Sequence, residues 1–119
     1  MAAHYRIYHN PRCAKSRQTL ALLQEAGITP EIRLYLDTPL SSDELSQIIR
    51  LLGFNSARQL MRTGEDIYKS LALNNASLSE EQLIAAMVEH PKLIERPIVV
   101  KGQHAVLGRP PETVLTLIG

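Results

Sequence analysis

Residues 4–17 read HYRIYHNPRCAKSR, and the way this stretch divides decides the fold. Residues 4–9 alternate and carry β-formers, which predicts a first strand, and Pro11 stops it. Leu20, Leu23 and Ala26 then recur at helical spacing up to Gly27, an expected C-cap. Residues 31–36 (EIRLYL) predict a second strand, so strand, helix and strand follow one another within the length of a βαβ unit. That order puts Cys13, the only cysteine of the 119 residues, where a strand has ended and a helix begins.

The pattern continues as a helical insertion at about 41–90. Ser41-x-x-Glu44, Ser56-x-x-Gln59 and Ser79-x-x-Gln82 each resemble a capping box ahead of an apolar run. Leu45, Ile48, Ile49 and Leu52 share one face of the first of these helices. The second is expected over SARQLMR, stopped by Gly64 and with Arg62 in its last turn. The third covers EEQLIAAMVEH, stopped by Pro91. PIVV and HAVL then flank Lys101-Gly102-Gln103, a hairpin signal with glycine at the first central turn position. Pro110-Pro111 can open a final helix ending in VLTLI. The expectation is one α/β domain over 1–119, built as βαβ, a helical insert and ββα.

Composition narrows the function. Hydrophobic content of 45% and charged content of 21% are ordinary for a globular chain. A formal net charge of +1 is far from the basic balance of a nucleic-acid binder. No stretch approaches the ~20 apolar residues of a membrane span, and the start lacks a signal-peptide core, so a cytoplasmic protein is expected. One cysteine excludes an internal disulfide framework. His4, His9, His90 and His104 show no metal-ligand spacing with it, so no metal is expected. Arginine outnumbers lysine nine to four, a bias suited to holding an oxyanion by two bonds at once.

Free cysteine is often a buried, inert filler. Here the position argues for chemistry. The start of a helix presents unpaired N–H groups and the positive end of its dipole, which together form an anion site. Arg12, Lys15 and Arg17 add positive charge nearby in sequence. Such surroundings can lower a thiol pKa from ~8.5 to between ~3.5 and ~7.5. Ser16 is placed to donate a hydrogen bond to the thiolate or to cap the helix. A C-x5-R phosphatase loop does not fit, because position 19 is threonine. A dithiol pair does not fit, because the third residue after Cys13 is Ser16. A Cys–His pair with His90 or His104 stays open on spacing alone.

Arg96 and Arg109 each precede a proline and bracket the hairpin. A Gly102-Gln103 turn pairs residues whose numbers sum to 205, which would set Arg96 opposite Arg109. Like charges so placed repel, so either an anion lies between them or the ladder frays first, as Pro97 would favour.

Through YHNPRCAKSRQTL (8–20), LYL (34–36), LMR (60–62), HPKLIERPIVV (90–100) and GRPPE (108–112), the chain resembles the glutaredoxin-coupled arsenate reductase family. The resemblance implies a thioredoxin-like fold with a small mixed sheet and a cis Arg96–Pro97 bond. It implies that Cys13 is the nucleophile, that Arg62, Arg96 and Arg109 bind the oxyanion, and that His9, Asn10 and Ser16 surround and activate the thiol. It also implies arsenate as substrate, glutathione as co-substrate, glutaredoxin as partner, no bound cofactor and a part in arsenical resistance. One departure stands out: Ala14-Lys15 follows the nucleophile where family members resemble Gly-Thr, which limits the loop's backbone and adds a charge. Two other classes share features with the chain. One is a binding protein resembling the Spx-type regulators that contact RNA polymerase, although their CxxC pair is absent here. The other is a glutathione-dependent thiol enzyme with another substrate.

Overall fold

The computed structural model of the chain describes residues 4–118. Four strands, β1 (Tyr5–Tyr8), β2 (Glu31–Arg33), β3 (Ile98–Lys101) and β4 (His104–Leu107), form one mixed sheet in the order β2-β1-β3-β4. The α-helices are α1 (Ala14–Glu25), α2 (Ser42–Leu51), α3 (Asp66–Ser70) and α4 (Glu80–Glu89). The backbone divides into two compact units: Met1–Thr38 with Arg96–Gly119, and Pro39–Glu95.

The first unit holds the whole sheet. β1 runs parallel to β2, as a helical crossover requires, and antiparallel to β3. Ile7 and Val99 are fully buried neighbours in that register, and Leu23 of α1 joins them in the core with Val114 and Leu117. Each such side chain contributes roughly 1.5–3 kcal/mol by leaving water. α1 ends as its sequence foretells: Gly27 has a φ of +81°, its N–H donates to Gln24, and the Ile28 N–H donates to Leu23. The last two hydrogen bonds satisfy carbonyls that the helix itself leaves open.

The second strand is shorter than the expected 31–36. It stops at Arg33, and the N–H groups of Asp37 and Thr38 both turn back to the Leu34 carbonyl. Tyr35, only 1% exposed, is drawn into the interior while Leu34 and Leu36 stay exposed. The alternation of EIRLYL therefore continues through a turn instead of a ladder.

The hairpin keeps the expected register, with Ile98 opposite Leu107 and Lys101 opposite His104. Gly102, with a φ of +60°, supplies the turn. One more backbone bond follows, from the Gly108 N–H to Pro97 O, and there the ladder frays. In place of the next rung, Nε of Arg109 donates to the Arg96 carbonyl at 2.8 Å. The Arg96–Pro97 bond is cis, as the resemblance implied, and so is Arg109–Pro110, which the sequence reading did not anticipate. The final helix is a 3-10 helix, Pro111–Leu117, which packs on α1.

In the second unit α2 packs on α4. Ser41 caps α2 by accepting the Glu44 N–H, and Leu45, Ile48 and Ile49 are buried on the expected face. Ser79 and Gln82 form a complete capping box on α4. A second complete box, Ser56 with Gln59, opens only a 3-10 helix, Ala57–Leu60. This corrects the helix expected over SARQLMR. Met61 leaves the helix to bridge Ile94, and the Arg62 N–H donates to Leu93 while the Glu95 N–H donates to Leu60. Arg62 thus lies on an extended segment and not in a last helical turn. α3 was not foreseen, since five residues are too few for periodicity to register.

Gly108, the residue after β4, lies close against Thr19 of α1. A Cβ there would meet Thr19 Oγ1 at 2.5 Å and Pro97 Cγ at 2.7 Å. Thr19 is fully buried and its hydroxyl already donates to the Lys15 carbonyl, so it cannot swing aside freely. Gly108→Ala is expected to lower unfolding free energy by about 1–3 kcal/mol through overpacking. Denaturant titration of both proteins checks this, and an unchanged midpoint would show that the contact is slack.

Candidate active site

Asn10-Pro11-Arg12-Cys13 forms a tight turn between β1 and α1, closed by the Cys13 N–H donating to Asn10 O at 3.0 Å. Asparagine at the first position and proline at the second suit such a turn. The Asn10 side chain fixes it further, its Oδ1 accepting the Arg12 N–H at 3.0 Å. The turn delivers Cys13 to the N-cap of α1 in extended conformation. No short side-chain capping bond closes on it, of the kind that serine or aspartate would make. The N–H groups of Ser16 and Lys15 are instead left to the sulfur.

The thiol is partly buried, and burial alone would hold it protonated. Against this act the Ser16 N–H, the positive charge of Arg96, the Lys15 N–H and a hydrogen bond from the Arg96 side chain. Together they outweigh desolvation and bring the Cys13 pKa below that of an ordinary thiol. The side-chain charge that favours the thiolate comes from Arg96, not from the sequence neighbours Arg12, Lys15 and Arg17. Arg17 is turned to the Pro11 carbonyl at 2.9 Å, and Lys15 acts through its backbone.

The Ser16 side chain is also placed differently from expectation. It is fully buried, accepts the Asn10 N–H at 3.1 Å and lies 2.7 Å from His9 Nδ1. Its hydroxyl therefore ties the turn together, while its N–H meets the sulfur. Burial, with a lesser push from the Arg17 charge, lowers the His9 pKa and keeps the imidazole neutral at neutral pH. His9, Asn10 and Ser16 form one buried hydrogen-bonded group next to the turn that carries Cys13.

Of the three arginines, Arg96 reaches Cys13 and Arg109 is tied to the Arg96 backbone. The Arg96 Nε is buried and has no hydrogen-bond partner among the described residues. Arg62 belongs to the second unit, where its Nε meets Glu65 at 3.3 Å and its Nη1 meets Glu95 at 3.0 Å. Among the described residues no cluster of His, Cys, Asp and Glu could hold a metal ion. No helix there is long and apolar enough to cross a membrane.

A family model described as the ArsC family matches residues 8–117. The chain belongs to the ArsC family. It is 57% identical over 119 residues to the protein YfgD of Escherichia coli (strain K12), covering all of both chains. It is 54% identical over 112 residues to an arsenate reductase of Haemophilus influenzae, covering 94% of this chain and 97% of that one. The solved arsenate reductase of Vibrio cholerae superposes with a TM-score of 0.97 at 52% identity, covering 99% of this chain and 100% of the other. The fold is thus the thioredoxin-like one that ArsC proteins share. Within the family pattern, the loss of glycine at Ala14 proves harmless to the backbone. Ala14 is the first residue of α1, where alanine is the best helix former, and it has no positive φ.

Sequence reasoning missed Thr19 and Gly108, whose close approach presses the Pro97–Gly108 end of the hairpin onto α1. A lone Gly before an arginine carries no signal of its own.

Alkylation reports on the thiolate. Because the Cys13 pKa is lowered, the rate with iodoacetamide should complete its rise at lower pH than for N-acetylcysteine measured alongside. Coincident profiles would mean that Arg96 and the two N–H groups do not act on the sulfur.

Proposed function

We propose that this protein is a monothiol arsenate reductase in which Cys13 is the nucleophile and Arg62, Arg96 and Arg109 bind the oxyanion. The observation that carries the reading is the guanidinium of Arg96, which faces the sulfur with one buried N–H left unpaired. An unpaired buried donor costs about 1–3 kcal/mol, and an oxyanion seated beside Cys13 would recover that cost. Charge-assisted bonds from arginine are also the stronger kind. His9, Asn10 and Ser16 hold the turn so that the sulfur stays at the helix start. The place of Arg62 in the set rests on the family resemblance.

In the proposed reaction the Cys13 thiolate attacks arsenic, and water leaves as the S–As bond forms. A glutathione thiolate then displaces a second oxygen, as water once protonated, and binds arsenic. A glutaredoxin thiolate attacks that glutathione sulfur, so the As–S bond breaks and its electron pair stays on arsenic as As(III). Water then releases arsenite from Cys13. The balance is one arsenate and two external thiols giving arsenite, one disulfide and one water. Cys13 is the only cysteine, so the second sulfur must come from outside the chain.

Arsenite formation with glutathione and glutaredoxin tests this. Cys13→Ser is expected to fall to the rate without protein. Arg96→Ala should weaken arsenate binding by about 1.5–3 kcal/mol, read as a raised KM for arsenate. Equal rates for wild type and Cys13→Ser would remove the reductase reading, and an unchanged KM would remove Arg96 from the anion site.

A further inference from the structure

β2 is an outer strand of the sheet, and among the described residues no strand lies beyond it. Its register with β1 settles which of its backbone groups face outward. The Arg33 carbonyl accepts the His9 N–H at 2.9 Å, and the parallel pairing sets Glu31, Ile32 and Arg33 beside Arg6, Ile7 and Tyr8. In such a ladder the groups of Glu31 and Arg33 turn to β1, so the N–H and C=O of Ile32 between them turn away. An outer strand with outward N–H and C=O groups is a template for another strand. Its side chains narrow which strand fits. Ile32 lies in one row with Ile7, Val99 and Val106, and it ends that apolar row 46% exposed. Glu31 and Arg33 flank it on the opposite face with opposite charges.

Of the antiparallel self-pairings centred on residues 30–34, one satisfies both the backbone and the charges. With Ile32 opposite Ile32 of a second copy, the two isoleucines exchange both N–H···O bonds, and Glu31 of each copy lies opposite Arg33 of the other. A centre at Glu31 or Arg33 sets like charges face to face and calls on backbone groups already given to β1. A centre at Pro30 lacks a donor, and one at Leu34 meets a carbonyl that already accepts from Asp37 and Thr38. In the Ile32 register Pro30 and Leu34 fall opposite each other, so the missing N–H meets the occupied carbonyl and neither strands a partner. Glu31 already meets Arg6 at 3.2 Å and His4 at 3.0 Å, and a carboxylate has room for a further donor. β4, the other outer strand, reads HAVL and offers no such charge pair. We infer that the β2 edge is an interaction surface for a second copy of this chain, paired antiparallel about a twofold axis at Ile32. The strands are short, so the association belongs with weak, transient interfaces that bury less than about 1,200 Å².

Backbone amide exchange of the wild-type chain, followed by NMR from about 10 µM to about 1 mM, reads the pairing residue by residue and needs no variant. The Ile32 N–H should exchange more slowly as concentration rises, while those of Glu31 and Arg33 change far less. Sedimentation velocity over the same range should show a growing dimer. Arg33→Glu and Glu31→Arg each set like charges opposite one another, so either variant alone should dimerise about tenfold more weakly. Mixed in equal amounts, the two variants regain opposite charges across both rungs and should associate with each other. Monomer throughout, a dimer with unchanged Ile32 exchange, or a mixture of the folded variants no tighter than its components would each overturn the pairing.

Discussion

A sulfur anion at the start of a helix is stable only if more favours it than the burial that opposes it. In this fold the favourable side is supplied from two places: the N–H groups of Lys15 and Ser16 at the start of α1, and the guanidinium of Arg96 just before β3. The first comes free with a helix whose N-cap makes no capping bond. The second depends on bringing the start of the late hairpin onto the first turns of α1. Gly108 permits that approach, because a Cβ at that position would collide with Thr19 and Pro97. The close approach of Gly108 to Thr19 and the lowered pKa of Cys13 therefore depend on the same placement of the hairpin's start.

The buried polar group below the turn serves the same end. His9, Asn10 and Ser16 satisfy one another through a single hydroxyl and two flanking groups, so the turn has a fixed shape. A buried network of this kind is costly when half satisfied, which makes it rigid when complete. Keeping His9 neutral avoids placing another buried cation in the network. Arg109, bonded to the Arg96 carbonyl, fixes the segment that carries the facing charge. With one cysteine on a fixed turn, the chain has no second thiol of its own to pair with Cys13.

Much of this was legible in the sequence where local physics is decisive. Gly27 and the capping serines Ser41, Ser56 and Ser79 mark helix ends because backbone N–H and C=O groups must find partners there. The hairpin register followed from Gly102, and the end of its ladder from Pro97. What was not legible depends on tertiary choice. Tyr35 is drawn inside, so the chain turns after Arg33 although EIRLYL alternates like a strand. Met61 pairs with Ile94, so a good capping box at Ser56 opens only one turn. The charge acting on Cys13 is Arg96, distant in sequence, and three basic neighbours looked more obvious. The Ser16 hydroxyl faced two partners of equal appeal on paper, and the fold gave it to His9 and Asn10.

The central claim is that Arg96, distant in sequence, lowers the pKa of the Cys13 thiol. The most direct measurement is the ultraviolet absorbance of the thiolate followed against pH in wild type and in Arg96→Ala. Removing the guanidinium leaves burial opposed only by the two N–H groups, so the account expects the variant's midpoint to move to higher pH. Superimposable titrations, with both proteins folded, would contradict it.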